Sequence, residues 1–142
     1  MNLLEKAIAL AVEKHQGQTD KQGQPYILHP LRVMFQLHGE TAQIVGVLHD
    51  VVEDTDVTFD DLRSMGFSEV VIAGLDGVTR RDDETYEEFV ARSSADDIAK
   101  QVKLADLTDN MDIRRLPNPL SEKDLARLQR YRQAWAVLGQ QE

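Results

Sequence analysis

The segment LHDVVEDT, residues 48–55, holds His49, Asp50, Glu53 and Asp54 in one short stretch. Taking His49 as zero on a helix, Asp50 lies at about 100°, Glu53 at about 40° and Asp54 at about 140°. Four groups able to bind a metal or move a proton therefore share one side of an otherwise apolar helix. Burying them is costly unless something pairs with them, and a divalent cation would do so. Taken alone, the stretch also reads as a helix end frayed into an acidic loop.

Two further places bear on that choice. His29 precedes Pro30 just after a glycine-containing loop, a cap position followed by proline at the first helical residue. In QVKLADLTDNM, residues 101–111, Lys103, Asp109 and Asn110 fall within about 60° of Asp106 on a helix. That stripe by itself also reads as a solvated face. Together, His29, His49, Asp50 and Asp106 supply two imidazoles and two carboxylates, a set suited to a divalent first-row metal with open positions for water and substrate. Carboxylate richness leans towards manganese, while imidazole keeps iron, cobalt, nickel and zinc in play.

The elements that must position these residues read as helices throughout. Leu3, Leu4, Ala7, Ile8, Ala11 and Val12 follow one helical face, with Asn2 as cap. GQTDKQGQPY, residues 17–26, is a loop, and His29–Pro30 opens a short helix to about His38. Thr41 to about Glu53 is apolar along most of its length and predicts one buried helix. Thr58 with Asp61, Thr85 with Glu88, Ser94 with Asp97 and Ser121 with Asp124 are capping-box signals. They predict helix starts near 59, 86, 95 and 122, with a further helix from Ser68 to about Val78. The last helix, with Leu125, Leu128, Trp135 and Leu138, is amphipathic and follows Pro117-Asn118-Pro119. The expectation is an all-α fold forming one compact domain over residues 1–142.

The 142 residues carry 16 Lys+Arg against 25 Asp+Glu, a formal charge of −9. That balance argues against binding along a nucleic-acid backbone, which needs many basic phosphate contacts. The absence of cysteine excludes disulfides, thiolate metal sites and cysteine nucleophiles. No apolar run approaches the ~20 residues of a membrane span, so a cytoplasmic protein without membrane partners is expected.

The run GQTDKQGQPYILHP, then LHDVVEDT, then VKLADLTDNM resembles the hydrolase domain of the RelA/SpoT class, within the HD-domain metal-dependent phosphohydrolases. The likeness covers roughly residues 3–116, and the length is similar to that of the stand-alone small alarmone hydrolases. The resemblance implies an all-helical enzyme removing the 3′-pyrophosphate from guanosine tetra- and pentaphosphate, the alarmones of the stringent response. His29, His49, Asp50 and Asp106 match that family's metal ligands, usually for Mn²⁺. Glu53 and Asp54 match the pair held to activate water, and Lys21, Tyr26 and Asn110 match substrate-side positions.

The chain departs from the family pattern at two motif positions, and Asp109 and Asp112 make the third segment more acidic than usual. Asp20 stands where an arginine often stacks on the base, and Leu107 replaces the arginine of the Lys-x-Ala-Asp-Arg motif. Both leave the metal set intact and bear on base preference, so a broader HD-type nucleotide phosphohydrolase is the alternative reading. A catalytically silent nucleotide-sensing module is another, weakened by the full set of candidate ligands. Among the remaining residues, His15 reads as structural, His38 as exposed and Trp135 as core. Arg80 and Arg81 divide between ligand and surface roles, and Arg127, Arg130 and Arg132 read as a solvated face.

Overall fold

A computed structural model describes residues 1–139 and contains nine α-helices among them. These are α1 (Leu3–Lys14), α2 (Leu28–Phe35), α3 (Glu40–Leu48), α4 (Val51–Asp54), α5 (Phe59–Ser64), α6 (Glu69–Val78), α7 (Tyr86–Ser93), α8 (Asp97–Asn110) and α9 (Glu122–Gly139). A single 3₁₀ turn, Ile113–Arg115, links the last two, and an isolated Thr19–Pro25 bridge closes the loop before α2. The all-α expectation is borne out. No helix among the described residues is long and apolar enough to cross a membrane.

Most helix starts follow the capping chemistry. Asn2, Thr58 and Thr85 each accept from the third backbone N–H beyond, and Glu5, Asp61 and Glu88 return the bond. Ser121 and Asp124 make the same reciprocal pair, and Ser68 accepts from Val71. Ser94 does not cap. It ends α7, and Asp96 takes over by accepting from Ala99, so α8 begins two residues later than its Ser94 signal suggests. Pro30 lies inside the first turn of α2 rather than at its first residue, still among the positions whose N–H needs no helical partner.

The largest departure is at His49. The expected Thr41–Glu53 helix is two helices, with His49 ending α3 and Asp50 opening α4. The His49 Nδ1 donates to the Gly46 carbonyl at 2.6 Å, drawing the ring back over the last turn. Adjacent residues on an unbroken helix diverge by about 100°; the break lets both side chains serve one place.

Helix α3 is the centre of the molecule, buried over most of its length and packed against α1, α2, α6 and α8. Close approach depends on missing side chains. A Cβ on Gly46 would come 2.5 Å from Leu37, and one on Gly77 would come 2.5 Å from the Ala99 Cβ. The main core runs through α1, α2, α3, α5, α6 and α8. In α1, Leu10 is buried while Val12 is exposed, because the helix turns a slightly rotated face inward. A second cluster of Val90, Leu107, Ala134 and Leu138 seats α9 against α7 and α8. Leu107 is thus a packing residue. Trp135 is 39% exposed, its indole N–H donating to Thr108 from the rim rather than filling the core.

The turn between α6 and α7 is pinned chiefly by Arg92. Arg92 holds Glu84 through two bonds of 2.7 and 3.0 Å and also donates to the carbonyls of Asp76 and Thr79. The guanidinium depresses the Glu84 carboxyl to about 2 from its usual 4.5. A depressed carboxylate stabilises the fold above its unfolded pKa and loses that contribution as pH falls through the folded one. Glu84→Gln should therefore lower the thermal midpoint at neutral pH. The gap to wild type should shrink between about pH 4.5 and about pH 2. A gap independent of pH would show that the ion pair is not its source.

Candidate metal centre

His29 from α2, His49 and Asp50 from the break between α3 and α4, and Asp106 from α8 converge on one point. His29, His49 and Asp106 each present an atom within 4.8 Å of the others. The His29 Nε2 lies 3.0 Å from Asp106 Oδ1 and 3.9 Å from Asp50 Oδ2. The His49 Nε2 lies 3.1 Å from Asp50 Oδ2 and 3.4 Å from Asp106 Oδ1. The imidazole planes of the two histidines meet edge to face, 5.1 Å apart.

The donor set fits a cation on one clear observation. His49 is 3% exposed, and its Nδ1 proton is committed to the Gly46 carbonyl, which can only accept. Its Nε2 therefore carries the lone pair of the neutral ring, buried and without a hydrogen-bond partner, in front of two carboxylates. Such a grouping of acceptors is unfavourable unless something positive lies among them. A proton can fill that role: burial opposes charge on His49, but Asp50 and Asp106 outweigh it and raise its pKa well above the usual value. A divalent cation would satisfy His29, His49 and Asp106 together, with the Asp50 carboxylate beside them.

The surrounding bonds hold the set in place. Asp106 accepts from Lys103 Nζ and Asn110 Nδ2, both at 3.1 Å, and Tyr26 donates a short hydrogen bond to Asp50. Burial would push Asp106 up, but Lys103 and the two imidazoles keep its carboxyl well below the usual range. Lys103 itself is buried over the Phe89 ring at 4.9 Å. The stripe on α8 is therefore an interior feature and not a solvated face, because α2 and α3 pack over it.

The cluster forms the floor of an open cavity of about 680 Å³. Lys21, Tyr26, Glu53 and Asn110 line it, whereas Asp54 lies outside its wall and His49 sits behind it, almost wholly enclosed. Burial, then the neighbouring Asp50 and Asp54 carboxylates, raise the Glu53 pKa. Tyr26 is tied to Asp50, so a place expected on the substrate side also braces the floor. Asp20 reaches the wall, but its Oδ1 accepts from the backbone N–H groups of Gln22 and Gln24 at 2.9 Å each. Its carboxylate shapes the loop.

The rest of the lining is largely basic and aromatic, with Asp112 and Asp124 among it. Arg80, Arg115, Arg127 and Arg130 belong to it with Tyr86 and Tyr131, and Arg130 stacks 5.1 Å over Tyr86. Arg127 and Arg130 are thus cavity residues; helical spacing cannot distinguish a cavity wall from bulk solvent. Arg81 faces outward to Asp76, Arg132 lies over Trp135, and His15 is buried on Gln18. A metal-competent acidic floor below basic walls suits a ligand bearing several phosphates.

No established protein-family profile matches the chain. It is 38% identical over 121 residues to the GTP pyrophosphokinase of Streptomyces coelicolor, covering 76% of this chain and 14% of that protein. It is 34% identical over 121 residues to the guanosine-3′,5′-bis(diphosphate) 3′-pyrophosphohydrolase of Aquifex aeolicus, covering 76% and 17%. With the bifunctional (p)ppGpp synthase/hydrolase SpoT of Escherichia coli the identity is 32% over 124 residues, again covering 76% and 17%. The chain thus spans less than a fifth of the length of these three relatives. A solved structure described as a metazoan orthologue of SpoT that hydrolyses ppGpp shares the fold. Its TM-score is 0.80 at 22% identity, covering 99% of this chain and 87% of that one. The chain is thus similar in sequence to one segment of these RelA/SpoT-type proteins, and it has the all-helical fold of the solved orthologue.

Proposed function

We propose that the chain, residues 1–142, is a single HD-type hydrolase domain that removes the 3′-pyrophosphate from guanosine tetra- or pentaphosphate, yielding GDP or GTP and pyrophosphate. The observation that carries this reading is the unpartnered, buried His49 Nε2 facing Asp50 and Asp106 at the floor of a basic-walled cavity. Relatives whose names state this activity support it. His29, His49, Asp50 and Asp106 would hold the metal; the carboxylates lean towards Mn²⁺, while the imidazoles keep iron, cobalt, nickel and zinc in play. When bound, such an ion neutralises phosphate oxygens and makes water more acidic.

The chain's own residues supply the remainder. Glu53 accepts the proton of the attacking water, helped by the carboxylates that raise its pKa, with Asp54 assisting from outside the cavity. Water adds to the phosphorus nearest the 3′ oxygen, the bond to that oxygen breaks, and the 3′ oxygen leaves with a proton. Lys21, Tyr26 and Asn110 face the substrate from the cavity wall. A small cytoplasmic nucleotide is the partner this chemistry calls for.

A second reading, a broader nucleotide phosphohydrolase, is favoured by Asp20 and Leu107. The first is occupied with its own loop and the second with the packing of α9. The deciding experiment offers Mn²⁺-loaded protein a panel of nucleotides, including guanosine tetraphosphate, and separates the products. Release of GDP and pyrophosphate is the expected result. Turnover of other nucleotides but not the alarmone would favour the broader enzyme, and binding without turnover of any would favour a silent sensor.

A further inference from the structure

We propose that Asp109 is a positioning residue that fixes which nitrogen of His29 faces the metal centre. This rests on the metal reading above. Asp109 stands one turn beyond Asp106 on α8 and is 5% exposed. Its Oδ2 lies 2.6 Å from His29 Nδ1. Arg32 grips the same carboxylate twice, at 2.8 Å to Oδ1 and 3.2 Å to Oδ2. Arg115 approaches Oδ2 at 3.3 Å and also donates to the Asp109 carbonyl. Two guanidinium groups from different parts of the chain thus hold one carboxylate against one imidazole.

The consequence follows from what each group can do. A carboxylate held by arginines is an acceptor only, and at 2.6 Å Asp109 approaches Nδ1 more closely than Asp106 approaches Nε2 at 3.0 Å, so in the neutral ring the proton sits on Nδ1 and is donated to Asp109. Nε2 is then left as the lone-pair nitrogen, pointed at Asp106 and Asp50. The Gly46 carbonyl does the same for His49. One imidazole is therefore set by a backbone oxygen that no side-chain exchange removes, and the other by a side chain. Outer acceptors of this kind orient metal-binding histidines and raise their basicity.

The chain's stability alone could also explain a buried ion pair between α2 and α8, so the test reads the imidazole directly. In metal-free wild type at alkaline pH, long-range proton–nitrogen NMR should show His29 protonated on Nδ1 and bare on Nε2. Asp109→Asn keeps the size and one oxygen for Arg32 but can turn an amide N–H to the ring. It should lose that single tautomer and bind Mn²⁺ about 10- to 100-fold more weakly by calorimetry, with its helical circular dichroism retained. A wild-type His29 protonated on Nε2 overturns the proposal whether or not the variant folds. So does an Asp109→Asn protein with wild-type tautomer and wild-type Mn²⁺ affinity. If wild type itself binds no Mn²⁺, the metal reading falls and this inference with it, a result distinct from either.

Discussion

Replacing His49 by alanine is expected to take the protein from about one bound divalent ion per chain to almost none, and activity with it. The imidazole is enclosed by α3 and held by the Gly46 carbonyl, so no neighbouring side chain can move in to replace Nε2. Asp50 and Asp106 would then face each other across a gap with one donor fewer. A metal lowers the barrier of phosphoryl chemistry by several kcal/mol, so turnover should fall by ~10³-fold or more. Chelation of wild type should reproduce the loss, and added Mn²⁺ should restore activity to wild type but not to the variant. Affinity should weaken as pH falls, because binding requires neutral imidazoles. Elemental analysis beside a turnover assay checks all three. Full activity in metal-free protein, or an unchanged metal content in His49→Ala, contradicts the assignment.

The second large effect separates proton transfer from metal binding. Glu53→Gln preserves size but removes the basic carboxylate, so turnover should drop by ~10²–10⁴-fold while metal stays bound. Partial burial and the Asp50 and Asp54 carboxylates raise the Glu53 pKa, which makes it the stronger base. The base must be ionised to act. Wild-type turnover should therefore fall on the acid side as Glu53 is protonated, and this limb should vanish in Glu53→Gln. Near-normal turnover would remove Glu53 from the chemistry. Metal loss matching the loss of turnover would place it among the ligands instead.

The sequence shows what is local more fully than what is assembled. Capping pairs such as Thr58–Asp61 and Thr85–Glu88 act within one turn, and their helices begin where those residues stand. The break at His49 was hidden because the apolar pattern runs through it; what ends α3 is a ring nitrogen finding a carbonyl three residues back. His29, His49, Asp50 and Asp106 were legible as chemistry, since two imidazoles and two carboxylates in these settings need a common partner. Asp109 was not. It reads as one more acid on a polar stripe until Arg32, 77 residues away, is placed upon it. Arg127 and Arg130 were misread for a related reason, as the open cavity they face is built by α2, α7 and α8 together.

The four converging side chains come from three separated stretches, α2, the α3–α4 break and α8. Whatever cation they share is therefore a clasp between parts of the chain that fold far apart in sequence. Binding to the native state alone adds stability of about 2.7 kcal/mol at a free concentration one hundred times the dissociation constant. Metal supply would then govern how long the polypeptide survives heat and proteases, as well as whether it turns over substrate. A cell short of the ion would hold fewer intact copies, and abundance would track metal status without any change in expression.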